Sequence, residues 1–209
     1  MSAPLRGLYA VTPDALCDSP AELGAAVAAA LAGGARLIQY RDKRSTAPER
    51  ARNAATLLAL CRDHGARLIV NDDVELARAV GADGVHLGAS DLPLREARAR
   101  LGPDAVIGVS CANSLERGRT AQADGASYAA FGRFFPSRTK PGAPQAEPAL
   151  LHQARSALRI PVCAIGGVTP DNAGILIAAG ADLIAAVDGV FGAPDIAAAA
   201  RAYSRLFAQ

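Results

Sequence analysis

Polar residues of two opposite kinds stand directly after short apolar runs in this chain, and together they suit one piece of chemistry. Arg41 and Lys43, within Gln39-Tyr40-Arg41-Asp42-Lys43, and Lys140, within Ser137-Arg138-Thr139-Lys140, are donors with no acceptor capacity. Asp72, within Asn71-Asp72-Asp73, and Asp91, shortly after Gly88, are hard oxygen ligands. Carboxylates alone would repel a polyphosphate. Two aspartates sharing a Mg2+ ion with phosphate oxygens, while the three cations neutralise the remaining charge, would hold one, so a magnesium-chelated diphosphate is the guest these residues fit. A second anion site is expected at Gly166-Gly167 and at Val187-Asp188-Gly189, because backbone N–H groups at short helix N-termini bind phosphate.

Plainer readings compete at each position. Asp72, next to Asp73, could cap a helix, and so could Asp91 ahead of Leu92-Pro93. Paired glycines serve tight turns as often as phosphates. Arg41 and Lys43 could belong to a solvated face, although they directly follow a buried run. His86, inside a short apolar run, could line a pocket or sit hydrogen-bonded in the core. Cys111 follows Ser110 but has no evident base beside it, which argues against a nucleophile.

The elements that must position these groups read as repeated βα units. Apolar runs at Leu5–Thr12, Arg36–Arg41, Arg67–Asn71, Gly84–Gly88, Val106–Cys111, Ser127–Phe131, Val162–Gly166 and Leu183–Val187 alternate with Ala/Leu/Arg segments of helical spacing. Several runs are almost continuously apolar, as parallel strands covered on both faces are. Ser19-Pro20-Ala21-Glu22 and Thr46-Ala47-Pro48-Glu49 read as capping boxes, and Thr169-Pro170 places proline at a first helical position. Gly34, Gly65, Gly81, Gly125 and Gly180 stand where a left-handed cap would end a helix before the next strand. Eight such units predict a closed (β/α)8 TIM barrel, a single catalytic domain over residues 1–209, with its chemistry in the loops after the strands.

Bulk properties narrow the partners. The 22 basic and 20 acidic residues leave a net charge of +2, scattered without basic tracts, so nucleic acid is not expected. No apolar run reaches the roughly 18 residues of a membrane span and the N-terminus does not read as a signal peptide, so no membrane partner and a cytoplasmic location are expected. Cys17, Cys61, Cys111 and Cys163 are far apart and form no C-x-x-C, which argues against structural zinc and a disulfide scaffold. The alanine-rich helix faces carry no aromatic patch, so a homo-oligomer is allowed but not marked.

At these residues the sequence resembles the thiamine-phosphate synthase family. The likeness runs from Gly7-Leu8-Tyr9-Ala10-Val11-Thr12 to the last helix. It rests on Gln39-Tyr40-Arg41-Asp42-Lys43, Val70-Asn71-Asp72-Asp73, His86-Leu87-Gly88-x-x-Asp91, Phe135-Pro136-Ser137-x-Thr139-Lys140 and Ala164-Ile165-Gly166-Gly167-Val168 in the family's order. The resemblance implies a transferase in which hydroxymethylpyrimidine diphosphate loses pyrophosphate and a thiazole phosphate nitrogen takes over the pyrimidine methylene carbon. By similarity Asp72 and Asp91 bind magnesium, and Arg41, Lys43 and Lys140 bind the diphosphate. Gln39, Asn71 and Ser110 position the pyrimidine or its diphosphate, with Tyr40, Asp42 and Arg138 also counted among the substrate contacts. Ser137, Thr139, Gly167, Val187 and Asp188 surround the thiazole phosphate, and Arg41, Lys43, Ser110 and Lys140 carry catalysis.

Two positions depart from the family pattern. Asp188 stands where a small or hydroxyl residue is common, and its carboxylate is expected to turn away and cap the following helix while backbone N–H groups meet the phosphate. Arg133 stands where proline is common, and could add a cation to the mouth or cover the barrel. A thiazole tautomerase of the same superfamily and a non-catalytic thiazole-phosphate-binding regulator are the alternative functions. The first needs neither Asp72, Asp91 nor Lys43, and the second has little use for the metal ligands and Lys140.

Overall fold

The computed structural model describes residues 5–136 and 145–208. Its eight strands pair in parallel and close on themselves, β1 meeting β8. They are β1 (Gly7–Val11), β2 (Leu37–Tyr40), β3 (Arg67–Asn71), β4 (Gly84–Leu87), β5 (Val106–Ala112), β6 (Tyr128–Phe131), β7 (Val162–Ile165) and β8 (Leu183–Ala186). Each lies within a residue or two of an apolar run in the sequence. Around them stand α1 (Pro20–Ala32), α2 (Ala47–Asp63), α3 (Val74–Val80), α4 (Leu94–Leu101), α5 (Leu115–Ala123), α6 (Ala149–Ala157), α7 (Pro170–Ala178), the short α8 (Asp188–Phe191) and α9 (Ile196–Leu206).

The strands separate two cores. Leu8, Ile38, Leu68, Val85, Ile107 and Ile184 belong to the layer shared with the helices, while Tyr9, Leu37, Ile69, Val106, Tyr128, Cys163 and Leu183 fill the barrel. This double coverage accounts for the nearly unbroken apolar runs.

Helix boundaries follow local chemistry. At α2, Glu49 accepts from the Thr46 amide at 2.8 Å and from its hydroxyl at 2.7 Å, and at α7 Asn172 accepts from the Thr169 amide at 2.8 Å. Only half of the box expected at Ser19 forms among the described residues: its hydroxyl accepts from the Glu22 amide at 3.4 Å, without a return bond from Glu22. The five glycines expected to close helices all take positive φ, Gly81 at 69° ending α3 in the left-handed region. No helix among the described residues is long and apolar enough to cross a membrane.

Candidate active site

The loops after β1, β2, β3 and β4 meet in one charged cluster. A short 3-10 turn, Asp14–Asp18, follows β1 and places Asp14 beside the β2 loop. Its carboxylate pairs with the Arg41 guanidinium at 2.7 Å and accepts from the Lys43 amide at 3.1 Å. The fully buried Thr12 accepts from the Arg41 amide at 2.9 Å and donates to the Arg41 carbonyl at 3.2 Å. Arg41 is thus held by backbone and side chain at once, which a solvated face would not require. Sequence reasoning misses Asp14 and Thr12, although a hydroxyl and a carboxylate at the end of the first apolar run are the available signal.

Lys43 reaches across to β3, its Nζ lying 3.2 Å from Asp72 Oδ2. The capping role open to Asp72 belongs to its neighbour: Asp73 accepts from the Leu76 amide at 2.9 Å and pairs with Arg50 at 3.1 Å. Asp72 sits at the tip of a three-residue turn with φ of 63°, closed by the Asp73 amide donating to the Asn71 carbonyl at 2.7 Å. Such a positive-φ turn is strained for a residue with a Cβ. It turns the Asp72 side chain out of the strand's alternation and toward Lys43, near enough to Asp91 for its charge to raise that carboxyl.

Asp91 does not cap α4, whose N-cap position is held by Pro93. It accepts instead from the Gly88 amide at 2.6 Å. Its carboxyl is held above the usual range by burial and by the adjoining Asp72 carboxylate, against which the Gly88 amide and Lys43 act. Two neighbouring carboxyls beside a lysine offer oxygen donors of the kind a hard divalent cation takes, with its other positions left to water and phosphate. No group of three or more metal-binding side chains occurs among the described residues.

The inner wall of the mouth is polar and continuous. Gln39 Nε2 donates to the Tyr9 hydroxyl at 2.7 Å, the Tyr9 and Tyr128 hydroxyls are 2.8 Å apart, and Tyr128 is 2.9 Å from His86 Nδ1. His86 Nε2 lies 2.9 Å from Ser110 Oγ. His86 is therefore a buried, hydrogen-bonded histidine that supports Ser110. Asn71 ends β3, half-buried and in register with His86. Cys111 is fully buried beyond Ser110, and burial pushes its thiol up to about 11, so it offers no thiolate near neutrality.

Tyr40 and Asp42, expected among the substrate contacts, bond to each other and to the loop that follows β2. Both are buried, and Asp42 accepts from the Tyr40 hydroxyl at 2.7 Å and from the Arg44 and Ser45 amides, each at 3.0 Å. Strand alternation turns the Tyr40 ring into the layer shared with the helices, away from Gln39 and Arg41. The pair braces the β2 loop that carries Arg41 and Lys43.

The second anion region brings β6, β7 and β8 together. The Phe134 and Phe135 amides donate to the Ile165 and Gly166 carbonyls at 3.2 and 2.9 Å. Gly167, at φ of 64°, is passed so closely by the Pro136 carbonyl that a Cβ there would overlap it. Close backbone approach is thus one reason for this glycine, whatever its role toward a phosphate. Gly189, in α8, packs tightly on the Val168 carbonyl, which also accepts from the Tyr203 hydroxyl at 2.8 Å. Val187 is the N-cap position of α8 and Asp188 its first residue. Asp188 is exposed, and among the described residues no helix amide donates to its carboxylate, so the cap expected of it is absent. Arg133 follows a cis peptide bond from Gly132, and its carbonyl accepts from the Ala146 amide at 2.7 Å. Ser137, Arg138, Thr139 and Lys140 lie outside the described residues.

Known proteins resemble this chain along nearly its whole length. Thiamine-phosphate synthase of Thioalkalivibrio sulfidiphilus (strain HL-EbGR7) is 56% identical over 203 residues, covering 97% of this chain and 96% of the relative. Thiamine-phosphate synthase of Chromobacterium violaceum is 58% identical over 203 residues, covering 97% of each. Among solved structures, thiamine phosphate pyrophosphorylase from Pyrococcus furiosus superposes with a TM-score of 0.87 at 35% identity, covering 97% of this chain and 95% of the other. Residues 8–190 match the family model described as thiamine monophosphate synthase, and with relatives this similar over this length the chain belongs to that family.

Proposed function

We propose that this protein condenses hydroxymethylpyrimidine diphosphate with hydroxyethylthiazole phosphate, giving thiamine phosphate and pyrophosphate in a magnesium-dependent reaction. The observation that carries this reading is the ion pair of Lys43 with Asp72 at the mouth of the barrel, beside an Asp91 carboxyl that the Asp72 charge raises. A tautomerase has no use for such a cluster, whereas a departing diphosphate is served by it.

Asp72 and Asp91 would hold the ion, which when bound supplies positive charge against the phosphate oxygens of the leaving group. Arg41 and Lys43, joined by Lys140, neutralise the rest of the diphosphate. As the methylene carbon–oxygen bond breaks, its electron pair leaves with pyrophosphate and the positive charge passes to the pyrimidine methylene. The thiazole nitrogen supplies the pair for the new carbon–nitrogen bond. Gln39, Asn71 and Ser110 orient the pyrimidine, while backbone at Gly167, Val187 and Asp188, with Ser137 and Thr139, holds the thiazole phosphate in line, so that alignment replaces a chance encounter. A cytoplasmic setting suits four free, buried cysteines.

Purified protein mixed with both substrates and Mg2+ is expected to release pyrophosphate, and to release it only when both are present. Absence of release with the complete mixture would exclude the synthase reading.

A further inference from the structure

The buried relay from Gln39 to Ser110 has a property that follows from counting its hydrogens. Tyr9 and Tyr128 are almost fully enclosed, and burial pushes both phenols up, so each keeps its single hydrogen. The Gln39 amide nitrogen can only donate, and it occupies one lone pair of the Tyr9 oxygen. The Tyr9 hydrogen then has the Tyr128 oxygen as its partner. The Tyr128 hydrogen in turn has His86 Nδ1, which must offer a lone pair. A neutral imidazole with a bare Nδ1 carries its hydrogen on Nε2, and that hydrogen points at Ser110 Oγ. Reversing one link alone strands a buried hydroxyl hydrogen, a loss that a dry site makes expensive. Reversing all of them requires the Gln39 amide to turn over and point its carbonyl at Tyr9.

We infer that this relay runs one way, fixing His86 as the Nε2–H tautomer and leaving a Ser110 hydroxyl hydrogen and the Gln39 carbonyl oxygen for the mouth, so that Tyr9, Tyr128 and His86 are positioning residues. The inference rests on the proposed reaction only for its ligand: a pyrimidine ring nitrogen needs a donor, which Ser110 supplies, and an amino substituent needs an acceptor, which Gln39 supplies. Geometry holds the relay stiff. The Tyr9 and Tyr128 rings meet edge to face with centroids 5.7 Å apart, and Tyr128 stacks on His86 at 5.7 Å. Gly108 on β5 makes the room, since a Cβ there would overlap the Tyr128 phenol.

Nitrogen-15 NMR of the whole protein, with His86 assigned by its loss in His86→Gln, tests the sense directly. A bare Nδ1 and a protonated Nε2 are expected, and the opposite tautomer overturns the relay whatever the protein turns over. Tyr128→Phe keeps the ring and removes the link. It is expected to lower kcat/KM for the pyrimidine diphosphate about tenfold, with KM for the thiazole phosphate moving less than about twofold. In a Ser110→Ala background the same change should cost nothing more, because the two residues act as one unit. Additive losses, or equal losses toward both substrates, would assign Tyr128 to packing alone and overturn its positioning role. A wild-type protein with the expected tautomer but no pyrophosphate release would instead sink the proposed reaction and leave the relay standing.

Discussion

Replacing Asp72 by alanine or by glycine deletes the same carboxylate but leaves different backbones, so the pair isolates the strain at this position. Both variants lose the Lys43 contact and the crowding of Asp91, and these changes cancel in the comparison. Alanine must still adopt φ of 63°, which costs a residue with a Cβ about 1–2 kcal/mol, whereas glycine adopts it freely. Glycine's greater freedom in the unfolded chain returns about 0.5–1 kcal/mol of that difference. The net expectation is that Asp72→Gly is more stable than Asp72→Ala by about 0.7 kcal/mol, within a range of roughly 0–1.5 kcal/mol. For a chain of this size 1 kcal/mol moves Tm by roughly 2–4 °C, so thermal melts should separate the two by about 1–4 °C. Magnesium pyrophosphate sharpens the assay. At about a hundred times its Kd it would stabilise wild type by ~2.7 kcal/mol, and both variants should lose most of that gain along with pyrophosphate release. Alanine melting above glycine by the roughly 0.5–1 kcal/mol that chain freedom alone gives would show that the turn at Asp72 is not strained. Undiminished stabilisation by the ligand in either variant would remove Asp72 from the metal site.

Two further outcomes follow from the same cluster. Asp91 has its carboxyl raised, so between the ordinary carboxylate value of roughly 3.9 and the raised one the folded protein binds more protons than the unfolded chain, and stability falls as pH rises through that window. Asp91→Asn can still accept from the Gly88 amide and should therefore melt higher than wild type at neutral pH without magnesium, the difference fading at about pH 3; a lower melt at neutral pH would count against the carboxylate pairing. Asp14→Ala should release Arg41 and the Lys43 amide, raising KM for the pyrimidine diphosphate about tenfold. Because the pair is partly exposed, stability should change by less than about 1 kcal/mol, and an unchanged KM would show that Arg41 needs no such support.

What is legible in the sequence is whatever depends on neighbours along the chain. Strand runs, helix starts at Thr46 and Thr169, and closing glycines are local signals, because an apolar strand, a cap and a left-handed turn are each decided within a few residues. Strand ends also tell which polar groups share one mouth, since every parallel strand of a barrel points the same way. Some local contacts are visible only in the fold. Tyr40 and Asp42 lie in a run of polar residues at a strand end, and only the curl of the loop back onto its own amides pairs them with each other.

Tertiary structure alone decides which partners meet across strands. That Asp73 rather than Asp72 caps α3 depends on a turn whose backbone angle no residue type dictates. That Asp14 holds Arg41, and that Tyr128 reaches both Tyr9 and His86, depends on register around a closed sheet, where residues 27, 119 and 42 positions apart become hydrogen-bond neighbours. A sequence specifies the groups; closure of the barrel supplies the few ångströms that make them one site, because a hydrogen bond or an ion pair exists only at contact distance.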